Sequence, residues 1–272
     1  MISNINAHFA FTRMPFGKDL APGSLHQHKA HAEAVARISW CIAEGAFGLV
    51  TGEVGSGKTA AVRAATSTLD ARAHHVVYLG CPAIGARGIY AAIVTALGRK
   101  PRFHNANLIP QTQAALAAEI DERGRRVVLV CDEGHLMSTE QLEELRMLTN
   151  DPASMDSRST MAVLLIGQPL LRRQVKLGIL AALDQRIALR CAMAPLELAE
   201  TGSYISHHLA LAGRTDRLFS DDAVGLIHQV SRGLPRAVNN LATQALVATY
   251  AQGKAIVDEA AARAAAAELD AE

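Results

Sequence analysis

One short stretch of the chain decides its fold, and it reads Leu49-Val50-Thr51-Gly52-Glu53-Val54-Gly55-Ser56-Gly57-Lys58-Thr59. Within it, Gly52–Thr59 matches the phosphate-binding pattern G-x-x-x-x-G-K-[ST] at every fixed position. The apolar segment Phe47–Thr51 predicts a strand before the loop, and a helix is predicted from Lys58 to about Leu69. Because this strand–loop–helix order is the context in which the pattern binds phosphate, the stretch predicts a P-loop nucleotide-binding site.

Each residue type in the loop has a physical reason to be there. Glycines let backbone N–H groups turn inward around phosphate oxygens, and the start of the following helix adds partial positive charge. Lys58 can reach the β- and γ-phosphates of ATP, and the Thr59 hydroxyl can bind Mg²⁺. The sequence therefore predicts ATP and Mg²⁺ as ligands, held by Gly52, Glu53, Val54, Gly55, Ser56, Gly57, Lys58, Thr59 and Ala60.

Two acids follow a second apolar segment, Val127–Cys131. In P-loop proteins an acid at this strand tip holds the magnesium ion, which predicts Asp132 as a cofactor-binding residue. Glu133 is predicted to polarise the attacking water as a general base. An isolated Asp-Glu pair would more simply be two solvated turn acids, but here the pair follows a P-loop. Both acids together favour ATP hydrolysis over ATP binding alone.

The order of predicted elements indicates the fold class. Apolar strand segments alternate with helical patterns, which predicts a parallel five-stranded sheet sandwiched by helices. After Pro195 the strands stop and only helical patterns follow. We expect three parts: an N-terminal arm without a folded element (1–20), an α/β nucleotide-binding domain (21–194) and a small all-α lid domain (195–272).

The composition is that of a globular protein. Half of the 272 residues are hydrophobic, 19% are charged, and the net charge of +1 excludes a globally basic nucleic-acid binder. The N-terminus lacks the features of a signal peptide, and no apolar run approaches the roughly 18 residues of a membrane span. We expect a cytoplasmic protein without a membrane segment and with four reduced thiols, Cys41, Cys81, Cys131 and Cys191.

Several motifs beyond the P-loop narrow the assignment. They are Pro15-Phe16-Gly17, Asp132-Glu133-Gly134-His135, Leu165-Ile166-Gly167-Gln168-Pro169, Asp184-Gln185-Arg186-Ile187 and Gly233-Leu234-Pro235-Arg236. In this order, and over nearly the whole chain, they resemble AAA+ ATPases of the ExeA/TniB-like type. That group includes transposition helper ATPases and the ATPase of a secretion system.

The resemblance implies a role for three further side chains. Gln168 corresponds to the polar sensor between the acids and the γ-phosphate, although it could merely open a turn. Arg186 corresponds to the arginine that reaches a neighbouring subunit's nucleotide, with Arg190 as a rival and a surface salt bridge as the plain alternative. Arg236, just after Pro235, corresponds to the second sensor, or else is a solvated helix-end arginine.

The resemblance also implies a function. We expect an ATP-dependent regulator of transposition that forms a homo-oligomeric ring or filament on duplex DNA and acts on a transposase. The expected DNA contacts are Arg99, Lys100 and Arg102 in a loop, followed by Arg172 and Arg173. The alternatives are an ExeA-like secretion ATPase, whose membrane segment and cell-wall-binding part this chain lacks, and a nucleotide-gated interaction module that does not hydrolyse ATP.

Overall fold

A computed structural model describes residues 2–17, 20–80, 84–149, 159 and 161–270. The residues form two compact units, which are described separately below. Unit 1 comprises Met1–Ala32, Val54–Gly57 and Ala194–Glu272, and unit 2 comprises Glu33–Glu53 and Lys58–Met193. The three-part division expected from the sequence stays a prediction.

A parallel sheet of five strands forms the centre of unit 2, as predicted. The strands are β1 (Phe47–Thr51), β2 (His74–Leu79), β3 (Arg126–Cys131), β4 (Met161–Gly167) and β5 (Ile187–Ala192). Their order is β2-β3-β4-β1-β5. Strand β4 therefore lies between the strand before the P-loop and the strand before the two acids, and all three end at the same edge of the sheet.

Helices cover both faces of this sheet. They are α2 (Lys29–Ala43), α3 (Lys58–Ser67), α4 (Gly85–Ala96), α5 (Asn105–Asp121), α6 (Thr139–Leu148), α7 (Pro169–Gln174) and α8 (Ala181–Arg186). Successive strand residues point to opposite faces, so Leu49 and Leu165 lie in one apolar cluster while Val50 and Ile166 lie in the other. Strand β4 is buried on both faces, which explains its unbroken apolar sequence.

Helix α5 is longer than the sequence suggests. The sequence predicts a helix near Thr112–Arg123, and proline usually interrupts a helix. The structure begins the helix at Asn105 and keeps Pro110 inside it. The cost of the missing proline N–H is offset by burial of Leu108 and Leu116 on one side of the helix. As a result, the loop that carries Arg99, Lys100 and Arg102 ends at His104, directly before α5.

In its described part, unit 1 is built from helices, with one isolated β-bridge between Phe219 and Val257. The helices are α1 (Ile2–His8), α9 (Leu198–Leu211), α10 (Asp221–Ser231), α11 (Pro235–Ala251) and α12 (Glu259–Asp270). The prediction of an N-terminal arm without a folded element was wrong: Ile2–His8 is helical, and Phe9, Phe11 and Phe16 are buried in the same apolar cluster as Leu241. Three phenylalanines within eight residues gain more by joining a core than the prolines and glycine nearby lose. Of the described helices in either unit, none has the length and apolar character needed to cross a membrane.

Three histidines and three cysteines are buried in the described part of the chain. Burial lowers the pKa of His28 and His208 to about 4, so both are neutral at pH 7. His26, His28 and His31 have the spacing H-x-H-x-x-H, but among the described residues no group of three His, Cys, Asp or Glu residues could hold a metal ion. Burial raises the pKa of Cys41 and Cys131 to about 12, and Cys191 is also a buried free thiol. Cys81 lies outside the described residues.

A tight turn within unit 1 connects α10 to α11. Gly233 has φ +67°, and its carbonyl oxygen accepts a hydrogen bond of 2.8 Å from the Leu196 N–H. A Cβ at Gly233 would lie 2.1 Å from the Leu196 carbonyl oxygen, so only glycine fits. Pro235 then starts α11, a position that suits its fixed φ and missing N–H.

The turn generates a stability prediction with a matched control. Gly253 also has φ +67°, but a Cβ there would meet no atom within 4 Å. We expect Gly253→Ala to lower the free energy of unfolding by about 1 kcal/mol, the cost of a left-handed backbone. Gly233→Ala adds the clash with Leu196 and should lower it by about 2 kcal/mol more. Urea unfolding of both variants measures the difference, and equal losses would contradict the close approach.

Candidate active site

The loop Gly52–Lys58 turns between β1 and α3 in the way a phosphate-binding loop requires. Gly55 and Gly57 have φ +80° and +91°, conformations that glycine adopts without strain. The Lys58 ammonium donates hydrogen bonds of 2.8 Å to the carbonyl oxygens of Gly52 and Glu53. Lys58 is the first residue of α3, and these two bonds hold its ammonium against the carbonyl groups at the start of the loop.

A buried hydroxyl tests whether this loop fits a triphosphate. Ser56 is 1% exposed, and its Oγ has no hydrogen-bond partner in the part of the chain that the structure describes. Buried polar atoms are nearly always satisfied, so an orphaned one beside two left-handed glycines indicates a partner supplied by a ligand. The loop residues therefore fit the phosphate oxygens of ATP.

Two oxygen donors meet at the position expected for magnesium. Thr59 Oγ1, in the first turn of α3, donates a hydrogen bond of 3.0 Å to Oδ2 of Asp132, which follows β3 directly. Mg²⁺ prefers oxygen ligands and usually takes few from the protein, the others being waters and substrate phosphates. A hydroxyl and a carboxylate in contact are therefore a donor set that fits Mg²⁺.

Tyr78 belongs to this site although the sequence gave no sign of it. Its O–H donates a hydrogen bond of 2.7 Å to the same Oδ2 of Asp132. Burial, together with that bond, raises the pKa of Tyr78 to about 12, so the hydroxyl remains a donor. The signal lay in strand pairing: β2 runs beside β3 with Tyr78 level with Val130, close to the acids. That neighbour relation is not visible in the sequence of one strand.

Glu133 occupies an unusual backbone conformation. It has φ +52° and ψ +33°, in the left-handed region, and its N–H donates a hydrogen bond of 2.9 Å to Oδ1 of Asp132. Its side chain is 53% exposed. Non-glycine residues in this region cluster at functional sites, where the surrounding structure holds them. The backbone thus turns the two neighbouring carboxylates into different surroundings, one buried and one open.

His135 lies between Glu133 and the end of β4. Its Nδ1 is 3.5 Å from Oε2 of Glu133 and 3.5 Å from the backbone nitrogen of Gln168. The side chain is only 8% exposed, so it belongs to the interior of this edge and not to a partner surface. Gln168 precedes α7, and its side chain does not cap that helix. The backbone of Gln168 is thus linked to Glu133 through the His135 ring.

Within unit 1, Arg236 contacts the P-loop segment that belongs to that unit. Its backbone N–H donates a hydrogen bond of 3.2 Å to the Gly55 carbonyl oxygen. A Cβ on Gly55 would lie 2.7 Å from the Arg236 Cβ, which gives a second reason for glycine there. The Arg236 side chain is exposed, and Pro235 comes immediately before it at the start of α11.

The other predicted arginines are engaged away from the loop and the acids of unit 2. Arg186 ends α8, and its Nη2 donates a hydrogen bond of 2.9 Å to the Thr149 carbonyl oxygen. Arg190 lies in β5, and its Nη2 pairs with Oδ1 of Asp184 at 2.9 Å. Neither bond brings its guanidinium to the P-loop or to the acids of the same chain.

The residues predicted to contact DNA lie in two places. Arg99 and Arg102 line an open cavity before α5, with Lys100 exposed between them. Arg172 and Arg173 are exposed in the last turn of α7, which follows Gln168. The two groups therefore belong to different elements of unit 2.

Sequence comparison agrees with this geometry. Residues 42–175 match the family model described as an AAA domain. Over 249 residues the chain is 32% identical to General secretion pathway protein A of Aeromonas hydrophila, an alignment that covers 90% of this chain and 45% of that protein. The chain thus spans less than half the length of this relative.

Solved structures share the fold. The Aeropyrum pernix ORC2 protein in its ADP form matches with a TM-score of 0.68 at 17% identity, over 93% of this chain and 71% of that chain. Drosophila ORC bound to DNA gives 0.68 at 18%, over 99% and 66%. The Thermotoga maritima RuvB Holliday junction branch migration motor gives 0.56 at 18%, over 89% and 68%. At these identities the likeness concerns the fold alone: the chain has a P-loop nucleotide-binding fold, and its residues 42–175 match the AAA domain model.

Proposed function

We propose that this chain is an ATP-dependent assembly switch that forms a homo-oligomer on duplex DNA and regulates or targets a transposase. The proposal rests on a group of residues within unit 2 that is suited to ATP hydrolysis. The two arginines considered for the role in a neighbouring subunit, Arg186 and Arg190, are bonded elsewhere in that unit. Lys58, Thr59, Asp132 and Glu133 lie at the ends of β1 and β3, whereas Arg186 is bonded to Thr149. A site of this kind works best when a neighbouring subunit supplies the missing positive charge.

The roles of the residues follow from their chemistry. Bound Mg²⁺ neutralises charge that develops on the phosphate oxygens. Thr59 and Asp132 would hold that ion, and the Tyr78 hydroxyl orients the Asp132 carboxylate. Lys58 would leave the Gly52 and Glu53 carbonyls to pair with phosphate oxygens. The exposed Glu133 carboxylate would orient a water and accept its proton, which places the general base beside the metal ligand.

Gln168 and Arg236 would read the state of the nucleotide. Gln168 follows the strand between the P-loop strand and the acid strand, the position from which an amide reaches both water and γ-phosphate. Arg236 begins α11 with its backbone against Gly55, and its exposed guanidinium is available to a phosphate. Loss of the γ-phosphate would remove a partner from each side chain.

ATP can drive assembly only if it binds the assembled state better than the monomer. Arg186 would provide that preference by reaching the nucleotide of the next subunit, where it would also stabilise transition-state charge. Hydrolysis would then remove the preference and release the oligomer. The DNA part of the proposal is supported by the exposed basic groups of unit 2 and by the resemblance of the motifs to transposition helper ATPases.

A second candidate function is favoured by one specific observation. The 32% identity to General secretion pathway protein A extends over 90% of this chain. A secretion-associated ATPase would use the same nucleotide chemistry and the same subunit contacts, but its assembly would not depend on DNA. The two candidates therefore differ in one measurable property, the requirement for duplex DNA.

Two substitutions test the nucleotide chemistry. Lys58→Ala should abolish ATP binding, because the loop loses its cation. Glu133→Gln should keep ATP binding but lower kcat by about 100-fold or more, since the general base is lost. Glu140→Gln, an exposed acid at the start of α6, is the matched control and should hydrolyse normally. Normal turnover by Glu133→Gln would rule out its role as the base.

Mixing of inactive variants tests whether Arg186 acts on a neighbour. Arg186→Ala should lower hydrolysis by about 1,000-fold without weakening ATP binding to the monomer. When it is mixed with Glu133→Gln, some sites would combine an intact Glu133 with the neighbour's intact Arg186, so activity should rise above the sum of the two. Arg190→Ala is the control, and recovery only with that variant would move the role to Arg190.

Sedimentation velocity and electron microscopy test the assembly itself. The protein should form large complexes on duplex DNA in the presence of a slowly hydrolysed ATP analogue and should remain small without it. Lys58→Ala should stay small under all conditions. Nucleotide-dependent assembly that ignores DNA would favour the secretion-associated candidate, and no nucleotide-dependent assembly would overturn the proposal.

A further inference from the structure

The chain contains a long segment without a negative charge. Residues 71–118 include five Lys or Arg residues and no Asp or Glu. Three of the five lie in the basic loop, defined here as Gly98–His104, which connects α4 to α5. A solvated face usually mixes both signs of charge, so a one-sided segment of this length points to an anionic ligand.

The basic loop borders an open cavity with a volume of about 530 Å³, lined by Arg99, Arg102, Asn107 and Gln111. All four side chains carry N–H donors. Gln111 also fixes the loop, because its side chain donates to the Lys100 carbonyl oxygen and accepts from the Arg102 N–H, both at 2.9 Å. Asn107 lies in the first turn of α5, where the helix dipole is positive. The N–H donors that line the cavity are therefore already positioned to bind a phosphate oxygen.

An exposed aromatic ring stands beside the cavity. Phe103 is 79% exposed, which is unusual for a phenylalanine. Arg87 of α4 holds it: its Nε and Nη2 donate to the carbonyl oxygens of Phe103 and Arg102, and its guanidinium carbon lies over the ring, 5.7 Å from the centroid. One face of the ring thus contacts the Arg87 guanidinium. Hydrogen bonds from Arg87 and Gln111 fix the backbone of the loop, which keeps the ring exposed to solvent.

We propose that the basic loop binds one unpaired nucleotide of a DNA strand. Arg99 and Arg102 take a backbone phosphate, and the open face of Phe103 stacks on the base. Aromatic rings beside cationic grooves are the usual way in which single strands are bound without sequence preference. Base pairs inside a duplex are stacked on both faces, so a duplex would engage the arginines alone. The inference rests on the proposed function only in that its ligand is DNA, and it requires no ATP.

Fluorescence anisotropy with nucleotide-free, full-length protein tests the two halves of this site separately. Phe103→Ala should weaken binding of a short single-stranded oligonucleotide about 10-fold. It should leave binding to a duplex of the same length unchanged. Ile179→Ala, which removes a side chain that is 73% exposed elsewhere in unit 2, is the control and should change neither. An unchanged single-strand affinity in Phe103→Ala would overturn the stacking role.

The arginines have a different signature. Arg99→Ala and Arg102→Ala should each weaken binding to both kinds of DNA. The slope of log affinity against log salt for the single strand should become shallower by about 0.7 for each phosphate that the variant no longer neutralises. Arg263→Ala, which removes an exposed arginine of α12, should leave that slope unchanged. Equal slopes for wild type, Arg99→Ala and Arg102→Ala would overturn the phosphate-binding role.

Stacking can be observed directly, because the chain has a single tryptophan, Trp40. In the double variant Trp40→Phe/Phe103→Trp, the only tryptophan would lie in the basic loop, and a single strand should quench its fluorescence. In Trp40→Phe/Ile179→Trp it should not. No quenching in the first variant would overturn the proposal.

Two outcomes separate this inference from the proposed function. Assembly on duplex DNA with ATP, but no effect of Phe103→Ala on single-strand binding, would leave the function standing and remove the stacking site. Quenching by single strands without ATP-dependent assembly would do the reverse.

Discussion

The hydrogen bond between Thr59 and Asp132 is the contact on which the site depends. It joins the first turn of the helix after the P-loop to the tip of a strand 73 residues further along the chain. The bond can form because a single strand, β4, lies between β1 and β3, and the carboxyl ends of these parallel strands lie at one edge of the sheet. An unbroken apolar β4, buried on both faces, is therefore a condition for the chemistry and not only for stability.

Two glycines in unit 1 determine how the start of α11 contacts the P-loop segment of that unit. Gly55 has a left-handed backbone and also lies too close to the Arg236 Cβ for any side chain. Gly233 has the same two constraints at the turn that leads to Pro235 and Arg236. Two glycines far apart in sequence thus set where one arginine begins its helix. This close approach explains why glycine stands at 233 in the sequence Gly233-Leu234-Pro235-Arg236, whereas an ordinary helix start would not require glycine there.

Local pattern was enough to predict the P-loop, the apolar strands and the parallel sheet, because these depend on spacing and periodicity. The N-terminal helix was not predicted because Pro15 and Gly17 are typical of irregular segments, whereas the burial of Phe9, Phe11 and Phe16 depends on distant helices. Tyr78 was not predicted as a member of the site because its partner, Asp132, follows a neighbouring strand. Local sequence does not specify which strand lies beside which.

The net charge of +1 conceals an uneven distribution. Residues 71–118 carry a charge of +5, so the other 224 residues, with 22 Lys or Arg and 26 Asp or Glu, carry −4. A polyanion would therefore be attracted to this segment more strongly than the net charge of +1 suggests. At physiological salt, screening limits the attraction between the protein and a polyanion to about 8 Å. The attraction therefore acts mainly at the basic loop, which carries three of the five positive charges. Charge placement, not total charge, is therefore the property of this sequence that bears on nucleic-acid binding.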